Sequence, residues 1–421
     1  MATFFLVQGK TSFFVLDKNS REKKMKFDRY FLMDEAAVKA YILEKTDCFT
    51  DKELTVSEIG DGNLNYVFRI SDGETSVIVK HSGHTARISD EFILSTDRTI
   101  REGRLLQAHG RYVPDFVPAI YLIDETMKCV IMEDLSNYEI LRTALQQNQI
   151  YPHLGQLLGH YLAETLIRTS DFILPPKEKK MLQKEMINPE LCEITEGLVY
   201  TEPFYDNFSR NELSPELAEY VEQYIYNDAA LKRSAAEAKL KFLNKAESLI
   251  HGDLHSGSVF VNAEGIKVID PEFGFFGPAG YDVGNVIAHL LFAYAYAETK
   301  GQKEQMAWLE KTIEEVMKTF RSSALIILQN ETRDIALNDE SIFAAFISEI
   351  EKDAYMVAGL EIIRRIVGMA KVSDITLLEE TRVRTEIQLL SFARYLIQHP
   401  DKIRIYPSLF AIYQNSKEQV A

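Results

Sequence analysis

The sequence predicts an α+β fold of two lobes: a small, five-stranded antiparallel front lobe carrying one helix, then a large, mainly helical back lobe. Three observations carry this expectation. Runs rich in β-branched and aromatic residues with period-two alternation crowd the stretch 54–132. From about residue 134 the apolar spacing changes to the helical repeat. A single short hairpin, at 253–272, interrupts the helical part.

Taken in order, residues 54–59, 66–70, 75–81, 117–123 and 129–132 read as strands, with turns at Ser71-Asp72-Gly73 and Asp124-Glu125-Thr126. Between the third and fourth, a helix over about 99–108 has Ser95, Thr96 or Asp97 to cap it and Gly110 to close it, giving the order β-β-β-α-β-β. After Glu133-Asp134-Leu135, the residues Leu154, Leu157, Leu158, Tyr161, Leu162 and Thr165 share one helical face. The lobe boundary is therefore placed there, with 33–133 as the front lobe, 134–421 as the back lobe and 1–32 as an N-terminal extension. Met25 and Met33 are equally placed to be the start. Pro175-Pro176 marks a loop, and Ser214-Pro215-Glu216 opens another long helix. The longest apolar run, 286–297, is broken by His289 and too short to cross a bilayer, so it reads as a buried helix.

At 421 residues and 46% apolar content the chain supports one large or two moderate cores. A formal net charge of -16 argues against nucleic acid or an anionic membrane as partner, and requires any phosphate site to be locally basic. Cys48, Cys129 and Cys192 are odd in number and widely spaced, which suggests neither disulfides nor a zinc site and suits a reducing cytoplasm. The first residues lack a basic start and a small-residue cleavage site, so no signal peptide is expected.

The chemistry concentrates in His251-Gly252-Asp253-Leu254-His255-Ser256-Gly257-Ser258 and the following Val268-Ile269-Asp270-Pro271-Glu272. A strand after Asp253, a turn at Ala263-Glu264-Gly265 and a returning strand bring Asp253 and Asp270 to one end of a small sheet. Phosphoryl transfer from a nucleotide needs that pairing: one carboxylate to orient the attacking hydroxyl and take its proton, others to hold the metal that neutralises the phosphates. Either aspartate alone would read as a turn or cap residue; the full string does not. For His251 and His255, hydrogen bonds that support the hairpin are favoured over metal ligation, because no third soft ligand is near. Asp282 reads as a cap or a support for the hairpin, and Gly274 to Gly280 as a loop on the substrate side.

In the front lobe, Gly60-Asp61-Gly62-Asn63-Leu64-Asn65 joins the first two strands, where glycines let backbone N–H groups approach a phosphate. It fails as a dinucleotide fingerprint, since Asn65 stands at the third glycine position and a strand follows. Lys80, at the end of the third strand, is placed to reach phosphate oxygens, with Glu102 as its partner and Asp97 and Glu91 as rivals. Glu133-Asp134-Leu135 forms either a hinge whose backbone meets an adenine edge or a plain linker. Arg364 and Arg365 lie in a helix apolar nearly all round, where buried guanidinium groups need anionic partners. An ion pair to Glu361 and recognition of a substrate are the two readings of that pair.

These motifs closely resemble those of the 5-methylthioribose kinases, a branch of the protein-kinase-like fold that includes choline kinases and aminoglycoside phosphotransferases. The resemblance runs from about residue 33 to near the C-terminus. His251-Gly252-Asp253-Leu254-His255 is shared with the wider superfamily; the 60–65 loop, Asp270-Pro271-Glu272 with Gly277-Pro278, and Arg364-Arg365-Ile366-Val367-Gly368 are more specific. Ser258 takes the place of an asparagine usual in the sister branches, Ser256 replaces an expected threonine, and 93–98 lacks the family's tryptophan. The resemblance implies a homodimeric, ATP- and Mg²⁺-dependent enzyme of methionine salvage that phosphorylates the 1-hydroxyl of 5-methylthioribose. It casts Asp253 as base and substrate ligand, Asp270 and Glu272 as metal ligands, and Asn63, Lys80, Glu133, Asp134, Leu135, Asp270, Pro271 and Glu272 as the ATP side. Arg364 and Arg365 become substrate contacts. Two rival readings are a kinase of another small alcohol, such as choline or an aminoglycoside, and a non-catalytic nucleotide-binding pseudokinase. The intact Lys80, Asp253, Asp270 and Glu272 argue against the latter, and the arginine pair against a quaternary ammonium acceptor.

Overall fold

Alternating strands in the first third of the chain build an antiparallel sheet whose two faces are covered by different helices. The computed structural model describes residues 27–49, 53–59, 65–83, 85–86, 89–93, 95–403 and 408–418. In chain order the front strands are β1 (Thr55–Glu58), β2 (Asn65–Ser71), β3 (Ser76–Ser82), β4 (Thr85–Ala86), β5 (Ser89–Ile93), β6 (Ile120–Asp124) and β7 (Cys129–Glu133). Five of them form one sheet in the order β1-β2-β3-β7-β6, while β4 and β5 pair with each other. Period two decides the faces. Phe68, Ile70, Val77, Val79, Cys129 and Ile131 pack with Val38, Tyr41 and Ile42 of the helix Glu35–Lys45. Ile78, Val130 and Met132 point to the other side, and Lys80 shares their parity. The helix Arg98–Gly110 crosses that side so closely that a Cβ at Gly103 would lie 2.8 Å from Val130 Cγ2. Parity and crossing together aim Lys80 at this helix.

Several local features differ from the expectation; the helix opened at Pro215, expected to be long, ends at Val221 and passes into a π turn over Glu222–Tyr226. The front part holds a second helix, Glu35–Lys45, whose Asp34 cap accepts from Ala37 N at 2.8 Å. The expected strand over 117–123 begins only at Ile120, because Pro114–Phe116 forms a 3₁₀ turn and Pro118 has no N–H to offer a ladder.

Beyond β7 the chain is mainly helical. The run predicted as a buried helix is the core of Gly280–Thr299, buried on nearly every side. Small residues set its neighbours at close range: Cβ atoms at Gly280 and Gly284 would meet the backbone of Ile350 and Ala354 at 2.7 and 2.5 Å. Those residues belong to the helix Glu340–Val367, which in turn packs through Gly359 on the helix Arg382–Gln398. Leu154–Arg168, carrying the predicted apolar face, lies against Lys303–Glu331. Among the described residues no helix is long and apolar enough to cross a membrane.

Five short strands interrupt this body: β8 (Glu139–Ile140), β9 (Ser248–Ile250), β10 (Val259–Val261), β11 (Ile266–Val268) and β12 (Phe275–Gly277), combined as β11-β10-β8 and β12-β9. The stretch 274–280, expected as a substrate-side loop, is instead partly strand, because its glycines are needed for close packing. A Cβ at Gly274 would lie 2.8 Å from Ile250 O.

Candidate active site

The loop between β9 and β10 carries Asp253, and the segment between β11 and β12 carries Asp270 and Glu272. Gly252 has φ +82, and a Cβ there would stand 2.3 Å from Phe273 O, so the two segments touch through a residue that only glycine satisfies. Asp282 holds the start of the loop, accepting from His251 N at 2.6 Å and Gly252 N at 3.0 Å. Burial nevertheless pushes its carboxyl up to about 7. The support role preferred for Asp282 is thus the one its contacts describe. His251 Nε2 lies 2.8 Å from Ile269 O and ties the two segments together, while burial lowers its pKa to about 4 and keeps the ring neutral. His255 Nδ1 accepts from Gly257 N at 3.0 Å, and its Nε2 lies 3.4 Å from Asp253 Oδ2. Both histidines support the loop through these contacts.

Lys80 reaches the second segment across the gap between the sheet and the helical body. Its Nζ is 2.8 Å from Glu102 Oε2, 2.7 Å from Asp270 Oδ1 and 2.8 Å from Glu272 Oε1. Glu102 is the partner chosen from sequence; the rival Asp97 pairs with Lys128 at 2.6 Å. Burial opposes the charge on Lys80, but Asp270, Glu102 and Glu272 outweigh it and hold the ammonium well above its ordinary pKa. Asp270 is pulled down by Lys80 against the effect of burial. Its backbone sits at φ +61, in the left-handed region a non-glycine residue avoids at a cost of about 1–3 kcal/mol. Such strain persists only where surrounding contacts over-determine the geometry. Pro271 between the two carboxylates is buried.

Glu102, Asp270 and Glu272 each offer an oxygen within 4.8 Å of the others. Glu272 Oε2 is buried without a hydrogen-bond partner, although Oε1 accepts from Asn65 Nδ2 at 2.6 Å. Hard oxygen donors with spare buried acceptors on Glu272 and Glu102 fit Mg²⁺; Asp270 and Glu272 share one short segment, where both pair with Lys80.

On the other side of the loop, Arg364 Nη1 and Arg365 Nη2 stand 3.9 and 3.8 Å from Asp253 Oδ1. Both are anchored by Glu361, at 3.0 and 2.6 Å, and Glu361 also meets His289 Nε2 at 3.2 Å. The ion pair and the site-facing position, offered as alternatives by the sequence, are therefore both present. Burial would raise the Asp253 carboxyl, but His255, Arg364 and Arg365 hold it well below its usual range.

The remaining candidates are placed differently. Asp134 is gripped by Arg69 at 2.8 Å and Ser76 at 2.6 Å, and Glu133 meets Lys267 at 3.1 Å. Their side chains fix the segment between sheet and helices, and Leu135 is buried. Asn63 and the glycines of its loop lie outside the described residues. Three contributors were given no such role in sequence: Asn65, noted there only as part of the 60–65 loop; Arg98, whose Nε donates to Asn65 Oδ1 at 2.9 Å; and Asn188, whose Nδ2 donates to Glu272 O at 2.8 Å. The only available signal was a buried position for a polar residue, which no local spacing reveals.

A sheet lysine salted to a helix glutamate, facing a loop aspartate and a two-carboxylate segment, defines a phosphotransferase, and the profile of the phosphotransferase enzyme family matches residues 55–309. Methylthioribose kinase of Bacillus cereus (strain G9842) is 38% identical over 387 residues, spanning 90% of this chain and 97% of that protein. Methylthioribose kinase of Bacillus thuringiensis (strain Al Hakam) is 37% identical over the same shares. Among solved structures, choline kinase from Cryptosporidium parvum Iowa II is 14% identical, covers 92% of this chain and 96% of its own, and superposes with a TM-score of 0.47. The chain belongs to the phosphotransferase enzyme family, in its methylthioribose kinase branch.

Proposed function

We propose that the protein is a cytoplasmic, homodimeric kinase that uses ATP and Mg²⁺ to phosphorylate the 1-hydroxyl of 5-methylthioribose, giving 5-methylthioribose 1-phosphate in methionine salvage. The observation that carries the acceptor is the arginine pair at Asp253: fixed guanidinium groups beside the base suit an uncharged, hydroxyl-rich sugar and repel a cation. Residues 33–133 would bind the nucleotide, and 134–421 would supply the catalytic and acceptor groups.

In this reading Asp253 accepts a hydrogen bond from the sugar hydroxyl and takes its proton as the new P–O bond forms. A carboxylate held this acidic is a weak base, so the proton moves late, when the oxygen already carries phosphoryl character. Lys80 turns from its carboxylates towards phosphate oxygens, and Asn63 is assigned to the phosphate side by the family resemblance alone. Backbone groups of Glu133, Asp134 and Leu135 face the adenine. Mg²⁺ held by Asp270 and Glu272 would supply charge neutralisation on the phosphates.

A coupled ATPase assay with methylthioribose, ribose, choline and kanamycin tests the reading. Turnover with methylthioribose far above the others is the expected result; turnover with choline or kanamycin and none with methylthioribose overturns the acceptor.

Asp270→Ala and Glu272→Ala are each expected to lower kcat and to raise the Mg²⁺ concentration giving half-maximal rate, because a hard cation loses one oxygen ligand. The Asp270 change should be the more severe, since its side chain faces the open site while Glu272 is shared with Asn65. Titrating Mg²⁺ at saturating ATP checks this, and unchanged half-saturation in both variants would assign the carboxylates elsewhere.

Arg365→Lys keeps the charge and loses the planar fork, so kcat/KM for methylthioribose should fall roughly ten- to hundredfold with a small change in melting temperature. Arg364→Lys should act in the same direction. Retained activity with a much lower melting temperature in both would leave the pair a purely structural role.

A further inference from the structure

Close to the acceptor side lies a polar pair that the roles above leave unused. Arg142 stands in the short helix Leu141–Gln146 that follows β8. Its backbone N–H donates to Ser256 O at 3.0 Å, and its Nε donates to Ser256 Oγ at 3.2 Å. Ser256 belongs to the Asp253 loop, so the guanidinium rests on that loop; a Cβ at Gly257 would come within 3.3 Å of Arg142 Cζ. Asp374 arrives from the helix Ser373–Thr376, just beyond the arginine helix, and is only 1% exposed.

Asp374 Oδ2 lies 3.8 Å from Arg142 Nε, an ion-pair separation that is too long for a hydrogen bond. Two buried atoms are left over at this place. Arg142 Nη2 and Asp374 Oδ2 both lack a hydrogen-bond partner among the described residues. Buried polar atoms of native proteins are nearly always satisfied, so two orphans of opposite character side by side point to a missing group. One is a pure donor and the other a pure acceptor, whereas a hydroxyl is both. Arg142 also lies near enough to Asp253, Arg365 and Glu361 for their charges to act on it. The orphans therefore adjoin the place where the acceptor is phosphorylated.

We propose that Arg142 and Asp374 form a hydroxyl-reading subsite for the acceptor, Arg142 Nη2 donating to, and Asp374 Oδ2 accepting from, ring hydroxyls of the sugar that are not phosphorylated. This deepens the sugar-kinase reading and rests on it. An acceptor poor in hydroxyls leaves both atoms unpaired in the closed site, and a cationic acceptor meets a third guanidinium. The pair thus acts in specificity, while Asp253 performs the proton transfer.

The test compares kcat/KM for methylthioribose with that for its 2-deoxy and 3-deoxy analogues, in wild type, Arg142→Gln and Asp374→Ala. Wild type should favour the parent sugar over at least one analogue by roughly ten- to hundredfold, the range for a hydrogen bond to a charged group, chiefly through KM. Both variants should bring that ratio towards one while leaving KM for ATP unchanged. A purely structural role would depress all three sugars alike and keep the ratio, and that result overturns the subsite, as does a wild type indifferent to both hydroxyls. Should either variant fail to fold, Asp374→Asn keeps the shape, removes the charge and reads the same ratio. Wild type that turns over no pentose removes the functional reading and the subsite with it, whereas turnover with unmoved ratios removes the subsite alone.

Discussion

Asp253→Asn is expected to lower kcat by about 10²–10⁴-fold while nucleotide binding stays within a small factor of wild type, since an amide cannot take the hydroxyl proton. The loop itself should survive the change. Its shape depends on Asp282 accepting two backbone N–H groups, on His251 reaching Ile269 O, and on the glycine at 252, none of which involves the Asp253 carboxylate. Fluorescence or calorimetric titration with a non-hydrolysable nucleotide separates binding from turnover. Near-wild-type kcat in a folded variant would take the proton-acceptor role away from Asp253.

Glu361→Ala should be the most destabilising single change at the site. Glu361 is almost fully buried and is the common partner of Arg364, Arg365 and His289. Burial opposes its charge, yet the two arginines hold it well below the ordinary glutamate range. Removing it leaves two guanidinium groups side by side in a closed environment, a loss of about 3–5 kcal/mol for breaking a buried pair from one side. The urea midpoint should fall accordingly with little change in slope. A midpoint equal to that of wild type would mean that water or Asp253 already compensates the arginines, and that Glu361 anchors neither.

The fold was readable wherever local rules and tertiary structure agree. Strand parity around Lys80 and Val130, the turn at Ala263 to Gly265 and the apolar face of Leu154 to Thr165 all follow from spacing alone. The helix Glu35–Lys45 also had local signals, Asp34 before a Val38, Tyr41, Ile42 stripe, but its run of Ala and Lys residues is weakly patterned. The β4–β5 pair is too short to show an alternation. At the site, residues that share one short segment, such as Asp270 and Glu272, were visible together. Asn65, Asn188 and Arg98 were not, because their value lies in contacts with residues such as Glu272, 207 positions from Asn65, that no spacing encodes. The arginine pair was seen, but its two readings excluded each other only on paper; in space one carboxylate anchors both guanidinium groups while they face another.

The helix Gly280–Thr299 has a consequence for how the chain is made. It is apolar around nearly its whole circumference, and its closest cover, the helix Glu340–Val367, is encoded after it. At a synthesis rate of about 5–20 residues per second, the ribosome releases this helix several seconds before its cover exists. During that interval the nascent chain displays a sticky cylinder that chaperones would have to shield. Premature termination anywhere in the stretch between the two would leave that apolar surface without its main cover.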